Sequence, residues 1–175
     1  MHLLGISGSL RAASSSTALL MTLAERMAPE ITIERGLIGD LPLYNADHDG
    51  GPAVARLKAQ IAAAPGLVFV TPEYNNSVPG VLKNAIDWCS RPAYESVFKG
   101  KPCLVISVSG GALGGVRAQA HLKYILNGML AEVPPTMEIV VPRAPASVSE
   151  GRFTDETVLD FAVKGIRGFA ARIGG

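Results

Sequence analysis

Residues 66–88, GLVFVTPEYNNSVPGVLKNAIDW, contain the strand, loop and helix from which the fold can be predicted. The first six residues, 66–71, form a continuous apolar run rich in valine, which is typical of a parallel strand covered on both faces. A helix is predicted over residues 79–89, because apolar residues recur there at three- and four-residue spacing. The loop between them is stiffened by Pro72 and Pro79. This segment is therefore one strand–loop–helix unit of an α/β fold.

The same alternation of short apolar runs and helical patterns recurs along the chain. It predicts four further strands at residues 2–7, 31–35, 102–109 and 137–141, and further helices at 15–27, from Pro52 onward, at about 116–130 and at 154–173. Such alternation builds a parallel sheet with helices on both faces. Five strands favour the flavodoxin-like order 2-1-3-4-5 in a three-layer α/β sandwich, where ligands bind beyond the carboxyl ends of the strands. The loops after strands one, three and four are therefore candidates for the site.

Composition and charge narrow the class of protein. The chain has 175 residues, which suits a single domain over residues 1–175. Its formal net charge of +1 argues against a nucleic-acid partner and against attachment to anionic lipid. Cys89 and Cys103 fit neither a zinc site nor a redox pair, Cys103 is predicted to be a buried thiol, and such thiols are typical of a reducing cytosol. We expect no signal peptide and no membrane span, and hence a cytoplasmic protein.

The first loop, SGSLRAASSST at residues 7–17, joins a strand to a helix. The helix start provides unpaired backbone N–H groups and the positive end of the helix dipole. Side chains of this loop add donors that suit a phosphate dianion, namely Arg11, Ser9, Ser14, Ser16 and Thr17. Neither the Walker pattern nor the Rossmann G-x-G-x-x-G is present, so the loop predicts a site for one phosphate. Helix capping is the alternative, but it explains one serine and not four hydroxyls with an arginine.

The second and third loops offer contacts for a flat ring. In the second, TPEYNNSVPG at residues 71–80, Tyr74 and Asn75 lie near the strand end, where an aromatic ring and an amide can meet a planar heteroaromatic ligand. A turn that contains a tyrosine by chance is the alternative. The third, SGGALGG at residues 109–115, has four glycines that allow a ligand close to the backbone. Its alternative is a flexible strand-to-helix connection.

Other catalytic chemistries find little support in the sequence. The histidines, His2, His48 and His121, lack metal-ligand spacing, and no Gly-x-Ser-x-Gly motif is present. The polar residues 47–49 are interpreted as a solvated turn in a loop that, with Tyr44, could border a substrate entrance. We therefore predict no metal site and no catalytic side chain.

Three motifs together resemble the NADPH-dependent FMN reductase family, a group of flavodoxin-like proteins that includes quinone, azo-dye and chromate reductases. They are GISGSLR at residues 5–11, TPEYNNSVPGVLKNAIDW at 71–88 and VSGGALGG at 108–115. The similarity extends over residues 2–142, and the middle motif is the most specific of the three.

The resemblance implies non-covalently bound FMN and assigns its contacts. The phosphate would be held by Ser9, Arg11, Ser14, Ser15, Ser16 and Thr17, and the isoalloxazine ring would be lined by Pro72, Glu73, Tyr74 and Asn75 and flanked by Ser109, Gly110 and Gly111. Many family members have Asn where this chain has Ser16, whose hydroxyl has a shorter reach.

The resemblance also implies a reaction. Hydride passes from the nicotinamide of NADPH or NADH to FMN, and then to a small-molecule acceptor such as a quinone, a flavin, an azo compound or a metal oxyanion. The two substrates alternate, which gives ping-pong kinetics. The protein's task is to expose one ring face and to stabilise negative charge on the reduced ring.

Homodimers or homotetramers are a further implication of the resemblance. Asp87, Trp88 and Arg117 fall on segments that commonly form subunit contacts in relatives, although core packing explains Trp88 equally well. Glu73 and Arg117 are interpreted as a charge pair near the flavin or across a dimer.

Three alternative functions stay open at this point. They are a non-enzymatic electron carrier of the flavodoxin kind, a flavin- or nucleotide-binding regulator, and a flavodoxin-like fold for another ligand, such as a nucleoside-processing enzyme. With 16 basic and 15 acidic residues the chain lacks the strongly acidic surface that such carriers present, which disfavours the first alternative.

Overall fold

Residues 1–174, which a computed structural model of the chain describes, contain the predicted parallel sheet. Its strands are β1 (His2–Ser7), β2 (Thr32–Gly36), β3 (Leu67–Pro72), β4 (Cys103–Val108) and β5 (Ile139–Val141). Their order, β2-β1-β3-β4-β5, confirms the sequence prediction. All neighbouring strands are parallel, so their carboxyl ends meet at one edge of the sheet.

Five α-helices cover the two faces of the sheet. They are α1 (Ser15–Met27), α2 (Gly51–Ala63), α3 (Gly80–Cys89), α4 (Val116–Gly128) and α5 (Glu156–Gly174). Helices α1 and α5 contribute to one apolar cluster, and helices α2, α3 and α4 contribute to the other. The three-layer sandwich follows from this division.

The central strands are buried on both faces because their side chains alternate between the two clusters. In β3, Val68 and Val70 point to the α1 side, whereas Leu67 and Phe69 point to the α3 side. Phe69 is fully buried, and burial of such a side chain contributes about 1.5–3 kcal/mol. The continuous apolar run in the sequence reflects this two-sided burial.

A buried amide ties the short strand β5 to the sheet. The Gln119 side chain on α4 is fully buried, and its Nε2 donates to the carbonyl oxygens of Val105 and Ile139, each at 3.1 Å. Helix α4 thus holds β4 and β5 together just below the edge where the candidate loops lie.

A small substructure after β5 was not predicted from the sequence. A 3₁₀-helix, Ala144–Ser147, is followed by the hairpin strands β6 (Val148–Ser149) and β7 (Arg152–Phe153). Strands of two residues are too short to show periodicity. The hairpin is attached to α1, where Phe153 donates its backbone N–H to Thr22 Oγ1 at 3.0 Å. Helix α5 begins at Glu156, later than the predicted residue 154, because Thr154 donates to Ser147 and the Asp155 side chain caps the helix by accepting the N–H of Val158 at 3.1 Å.

Both cysteines are buried as free thiols, which confirms the prediction for Cys103. Burial raises the pKa of Cys89 to about 12 and raises that of Cys103 as well. Neither thiol is therefore a nucleophile at neutral pH. None of the helices in residues 1–174 combines the length and the apolarity that a bilayer crossing requires.

Candidate functional site

A glycine allows the first loop to lie in close contact with the end of β3. The backbone N–H of Gly8 donates to the carbonyl of Val70 at 2.9 Å, which continues the β1–β3 pairing beyond β1. A β-carbon at this position would lie 2.9 Å from Thr71 Oγ1 and 3.1 Å from Pro72 Cδ. Only glycine allows this approach, which brings the first and second loops together.

Helix α1 begins at the carboxyl edge of the sheet with donors that remain free. Ser14 is the N-cap, and its Oγ accepts the N–H of Thr17 at 3.2 Å. The first regular backbone bond runs from Ala18 N–H to Ser14 O at 2.9 Å. Within residues 1–174, the N–H groups of Ser15 and Ser16 have no acceptor. They provide the anion-binding end of the helix.

A network of hydroxyl groups stiffens this helix start. The Oγ of Ser16 lies 2.8 Å from that of Ser14 and 3.2 Å from that of Ser7. The Oγ of Ser7 in turn lies 2.8 Å from Thr17 Oγ1. Ser16 is only 1 % exposed, so its hydroxyl belongs to the internal network and its backbone N–H is its contribution to the pocket.

Arg11 supplies the positive charge of the first loop. Its Nη2 donates to the carbonyl of Ala13 at 2.7 Å, and the side chain is exposed beside the pocket. Its backbone N–H is directed to Ser9 Oγ at 3.3 Å. The guanidinium keeps several N–H groups for an incoming anion.

A tight turn presents the aromatic ring of the second loop. Tyr74 and Ser77 exchange backbone hydrogen bonds of 3.0 and 3.1 Å, and the two asparagines between them have positive φ angles of 49° and 66°. This is the pattern of a type I′ turn, in which asparagine is well tolerated. The Tyr74 hydroxyl lies 3.3 Å from Ser9 Oγ, which links the second loop to the first.

Glu73 connects the second loop to the start of α4. Its carboxylate accepts the backbone N–H groups of Arg117 at 3.0 Å and Ala118 at 3.3 Å, and the Arg117 guanidinium at 3.3 Å. The Glu73 side chain is 12 % exposed. The predicted charge pair thus lies within one chain, and its main contact is with the helix N-terminus.

The third loop folds back on itself through Ser109. The Oγ of Ser109 accepts the N–H of Gly111 at 3.0 Å, and its carbonyl accepts the N–H of Ala144 at 2.9 Å. Gly114 has a φ of +62°, and a β-carbon there would lie 2.5 Å from Val140 Cγ1. Glycine at this position therefore lets the loop pass over β5 before α4 begins.

Together the loops surround an open pocket of about 480 Å³ at the carboxyl edge of the sheet. Ten of the thirteen predicted residues line it: Ser9, Arg11, Ser14, Ser15, Ser16, Pro72, Glu73, Tyr74, Ser109 and Gly110. The other three, Thr17, Asn75 and Gly111, lie next to lining residues and do not line the pocket themselves.

Three lining residues were missed from the sequence: Val108, Ala144 and Pro145. Val108 is the last residue of β4, directly before the predicted loop. The other two belong to the 3₁₀-helix that follows β5 at the same edge. Pro142 and Pro145, which follow the predicted last strand, could have indicated a further loop at the pocket. The carboxyl end of any strand in such a sheet lies at the edge where ligands bind.

Other residues singled out from the sequence lie outside this pocket. Trp88 is buried against the loop after β2, with its Nε1 donating to the carbonyl of Pro42 at 2.7 Å and the Tyr44 ring edge-on at 5.0 Å. Core packing therefore accounts for Trp88 within one chain. His121 is exposed on α4, where its Nδ1 lies 2.9 Å from Ser77 Oγ. Residues 47–49 are exposed, as predicted for a solvated turn.

The fold and this edge define a flavodoxin-like α/β protein with a candidate anion site beside an aromatic loop. The chain belongs to the NADPH-dependent FMN reductase family, whose sequence model matches residues 1–146. Membership confirms the resemblance seen in the three motifs and the prediction that the protein is an enzyme. FMN and NAD(P)H are the cofactor and electron donor of this family.

Relatives with curated descriptions and solved structures agree with this membership. The chain is 44% identical over 159 residues to an NAD(P)H-dependent FMN reductase of Pseudomonas aeruginosa, covering 87% of this chain and 84% of the relative. It is 42% identical over 162 residues to a quinone reductase of Escherichia coli K12, covering 87% and 85%. The structure of FerB, a flavoenzyme NAD(P)H:(acceptor) oxidoreductase from Paracoccus denitrificans, superposes with a TM-score of 0.87 at 35% identity, covering 99% and 97%.

Replacement of Glu73 by alanine should destabilise the flavin-free protein by about 1–2 kcal/mol, the range for loss of a helix cap. Two backbone N–H groups of α4 lose their acceptor in this variant, whereas Glu73→Gln keeps an acceptor oxygen and should cost less. Urea unfolding measures the difference. Arg117→Ala is the control, since an exposed ion pair contributes about 0–1 kcal/mol. An Arg117→Ala loss as large as that of Glu73→Ala would show that the ion pair, and not the cap, is what matters.

Proposed function

We propose that this protein is an NAD(P)H-dependent flavin oxidoreductase that holds FMN in the pocket at the carboxyl edge of the sheet and reduces quinones by a ping-pong mechanism. The observation that carries the proposal is the start of α1. Free N–H groups of Ser15 and Ser16, an ordered hydroxyl network and the charge of Arg11 converge on one side of a pocket whose other side is formed by Tyr74. Such a combination matches a ligand with a phosphate at one end and a flat ring at the other.

The phosphate would lie at the helix start. Two backbone N–H groups and the helix dipole favour a dianion there, and the Arg11 guanidinium can reorient from the Ala13 carbonyl to bind it. Ser9 and Ser14 add hydroxyl donors at the pocket wall. Thr17, which bonds to Ser7, supports this cradle from behind. The residues present therefore fit the phosphate of FMN.

The isoalloxazine ring would lie between the second and third loops. Pro72, Glu73 and Tyr74 line one wall of the pocket, and Ser109 and Gly110 line the other. Pro145 closes the end beyond Gly110, where a β-carbon on the glycine would lie 3.7 Å from the proline ring. Asn75 and Gly111 hold the turns that present these walls. Because Glu73 is anchored to α4, the wall that carries Tyr74 has a fixed position.

FMN, when bound, would supply the redox chemistry, the transfer of two electrons from a nicotinamide to an acceptor. The residues of the pocket would bind and orient the flavin, and no histidine or cysteine is among the residues that line it. The charged side chains in its wall are Arg11 and Glu73, and Glu73 is already bonded to α4. Donor and acceptor would use the same open side in turn, which is the basis for ping-pong kinetics. Quinone is proposed as the acceptor because several relatives are named quinone reductases.

Assembly as a homodimer or homotetramer stays a prediction. Asp87 and Arg117, which the resemblance places on segments expected to form subunit contacts, form ion pairs with Lys83 and Glu73 within this chain. Both pairs are partly exposed, so both residues remain available to a partner subunit.

The decisive experiment for the proposed function is an absorbance spectrum of the purified protein, reconstituted with FMN if necessary and taken before and after anaerobic NADPH. The visible flavin bands should disappear on addition of NADPH and should return when benzoquinone is added. Steady-state rates should give parallel double-reciprocal lines, the pattern of a ping-pong mechanism.

Each alternative predicts a different spectrum. A carrier would stay yellow until a separate reductase is added, and a flavin-binding regulator would stay yellow under all conditions. A preparation that remains colourless and takes up no added FMN would exclude every flavin-based function. Any of these three results contradicts the proposal.

Replacement of Arg11 by alanine should weaken FMN binding by about 1.5–3 kcal/mol, the contribution of a hydrogen bond to a charged group. Titration of the flavin-free protein with FMN, followed by flavin fluorescence, measures the dissociation constant. Arg152→Ala removes the same charge from β7, far from the pocket, and should leave affinity unchanged. Equal affinity for the Arg11→Ala variant and the native protein would remove Arg11 from the phosphate site.

A further inference from the structure

A second pocket lies on the other side of the first loop, above the end of β2. It is an open pocket formed by the first loop and by the segment that follows β2. Ser9 lines both this pocket and the flavin pocket, so the first loop forms a ridge between them. A ligand that crosses this ridge would contact both sides.

The second pocket carries one uncompensated positive charge. Arg35, at the end of the edge strand β2, is exposed and forms no ion pair within residues 1–174. Asp40 is the acidic residue of the pocket, but both of its carboxylate oxygens accept from Arg56, at 2.7 and 2.9 Å. The Arg56 guanidinium lowers the pKa of Asp40, so this pair stays ionised and neutral overall. Arg35 therefore sets the charge that a ligand would meet.

The rest of the pocket offers apolar surface on a braced loop. Leu10 and Leu37 line the pocket, and their side chains are 57 % and 50 % exposed. Arg56 fixes the loop after β2, since it also donates to the carbonyl of Leu37 at 3.1 Å. The Leu10 side chain lies against the backbone of Gly39, where a β-carbon would come within 2.9 Å of Leu10 Cδ2. The loop that carries the apolar wall is thus braced beside the exposed Arg35.

We propose that this second pocket binds the adenosine 2′-phosphate of NADPH, with Arg35 on the phosphate and Leu10 and Leu37 against the adenine ring. This inference rests on the proposed function, because it assumes that the nicotinamide lies over a flavin in the neighbouring pocket. A guanidinium binds a phosphate dianion through paired charge-assisted hydrogen bonds. A flat base buries its face on apolar side chains. Arg35 would therefore make the enzyme prefer NADPH to NADH.

Calorimetric titration of the FMN-loaded protein with 2′,5′-ADP and with 5′-ADP tests the site without turnover. The native protein should bind 2′,5′-ADP about 10- to 100-fold more tightly, the range for a charge-assisted hydrogen bond. Arg35→Gln should abolish this difference. Arg167→Gln removes the same charge from α5, where Arg167 pairs with Glu30 at the opposite edge of the sheet. This control variant should keep the difference in affinity. In steady-state assays, the ratio of kcat/KM for NADPH to that for NADH should fall by the same factor in Arg35→Gln alone.

The results separate failure of this inference from failure of the proposed function. Equal binding of 2′,5′-ADP and 5′-ADP by the native protein, or a preference that survives Arg35→Gln, overturns the assignment of Arg35, even where NADPH and NADH both bleach the flavin. Arg35-dependent binding of 2′,5′-ADP supports the site, even where neither nucleotide reduces the flavin and the proposed function fails. A Tm of the Arg35→Gln variant equal to that of the native protein shows that the substitution at this exposed position of the edge strand does not destabilise the fold.

Discussion

The site depends on the close contact between the first loop and the end of β3. Gly8 donates its N–H to Val70 and leaves no space for a side chain above Thr71, so the start of α1 lies directly beside the second loop. Helix N-terminal N–H groups are strong anion donors only where they are oriented and free of competing acceptors. Parallel pairing brings the strand ends to one edge of the sheet, and Gly8 allows the first loop to approach the second. The hydroxyl network and the Tyr74–Ser9 contact then stiffen what this approach has assembled.

The positions that could be predicted from the sequence are those determined by local chemistry or by the sheet edge. Two-sided burial makes β3 and β4 continuous apolar runs, and right-handed crossovers leave few topologies, among which five strands favour the observed order. Serines before a helix and glycines after a buried strand then predict where the pocket lies. Most of the predicted residues line that pocket because parallel strands place all three loops at the same edge of the sheet.

The features that escaped prediction depend on contacts between distant residues. Ala144 and Pro145 reach the pocket because the chain turns back after β5, and the two-residue strands of the hairpin carry no periodic signal. The charge pair of Glu73 with Arg117 was predicted, but the bonds of Glu73 to backbone N–H groups at the start of α4, 44 and 45 positions away, were not. The contacts of the Ser16 hydroxyl with Ser14 and Ser7 inside the protein were likewise not predicted. Such contacts are determined by tertiary packing, which cannot be read from a single sequence.

A crystal structure of the FMN-loaded protein would locate the phosphate group, whose position defines the proposed site. We expect the phosphorus atom at the start of α1, with its oxygens accepting from the N–H groups of Ser15 and Ser16 and from the Arg11 guanidinium, and the ring beside Tyr74. A flavin bound with its phosphate at any other element, such as the glycine loop before α4, would contradict this expectation.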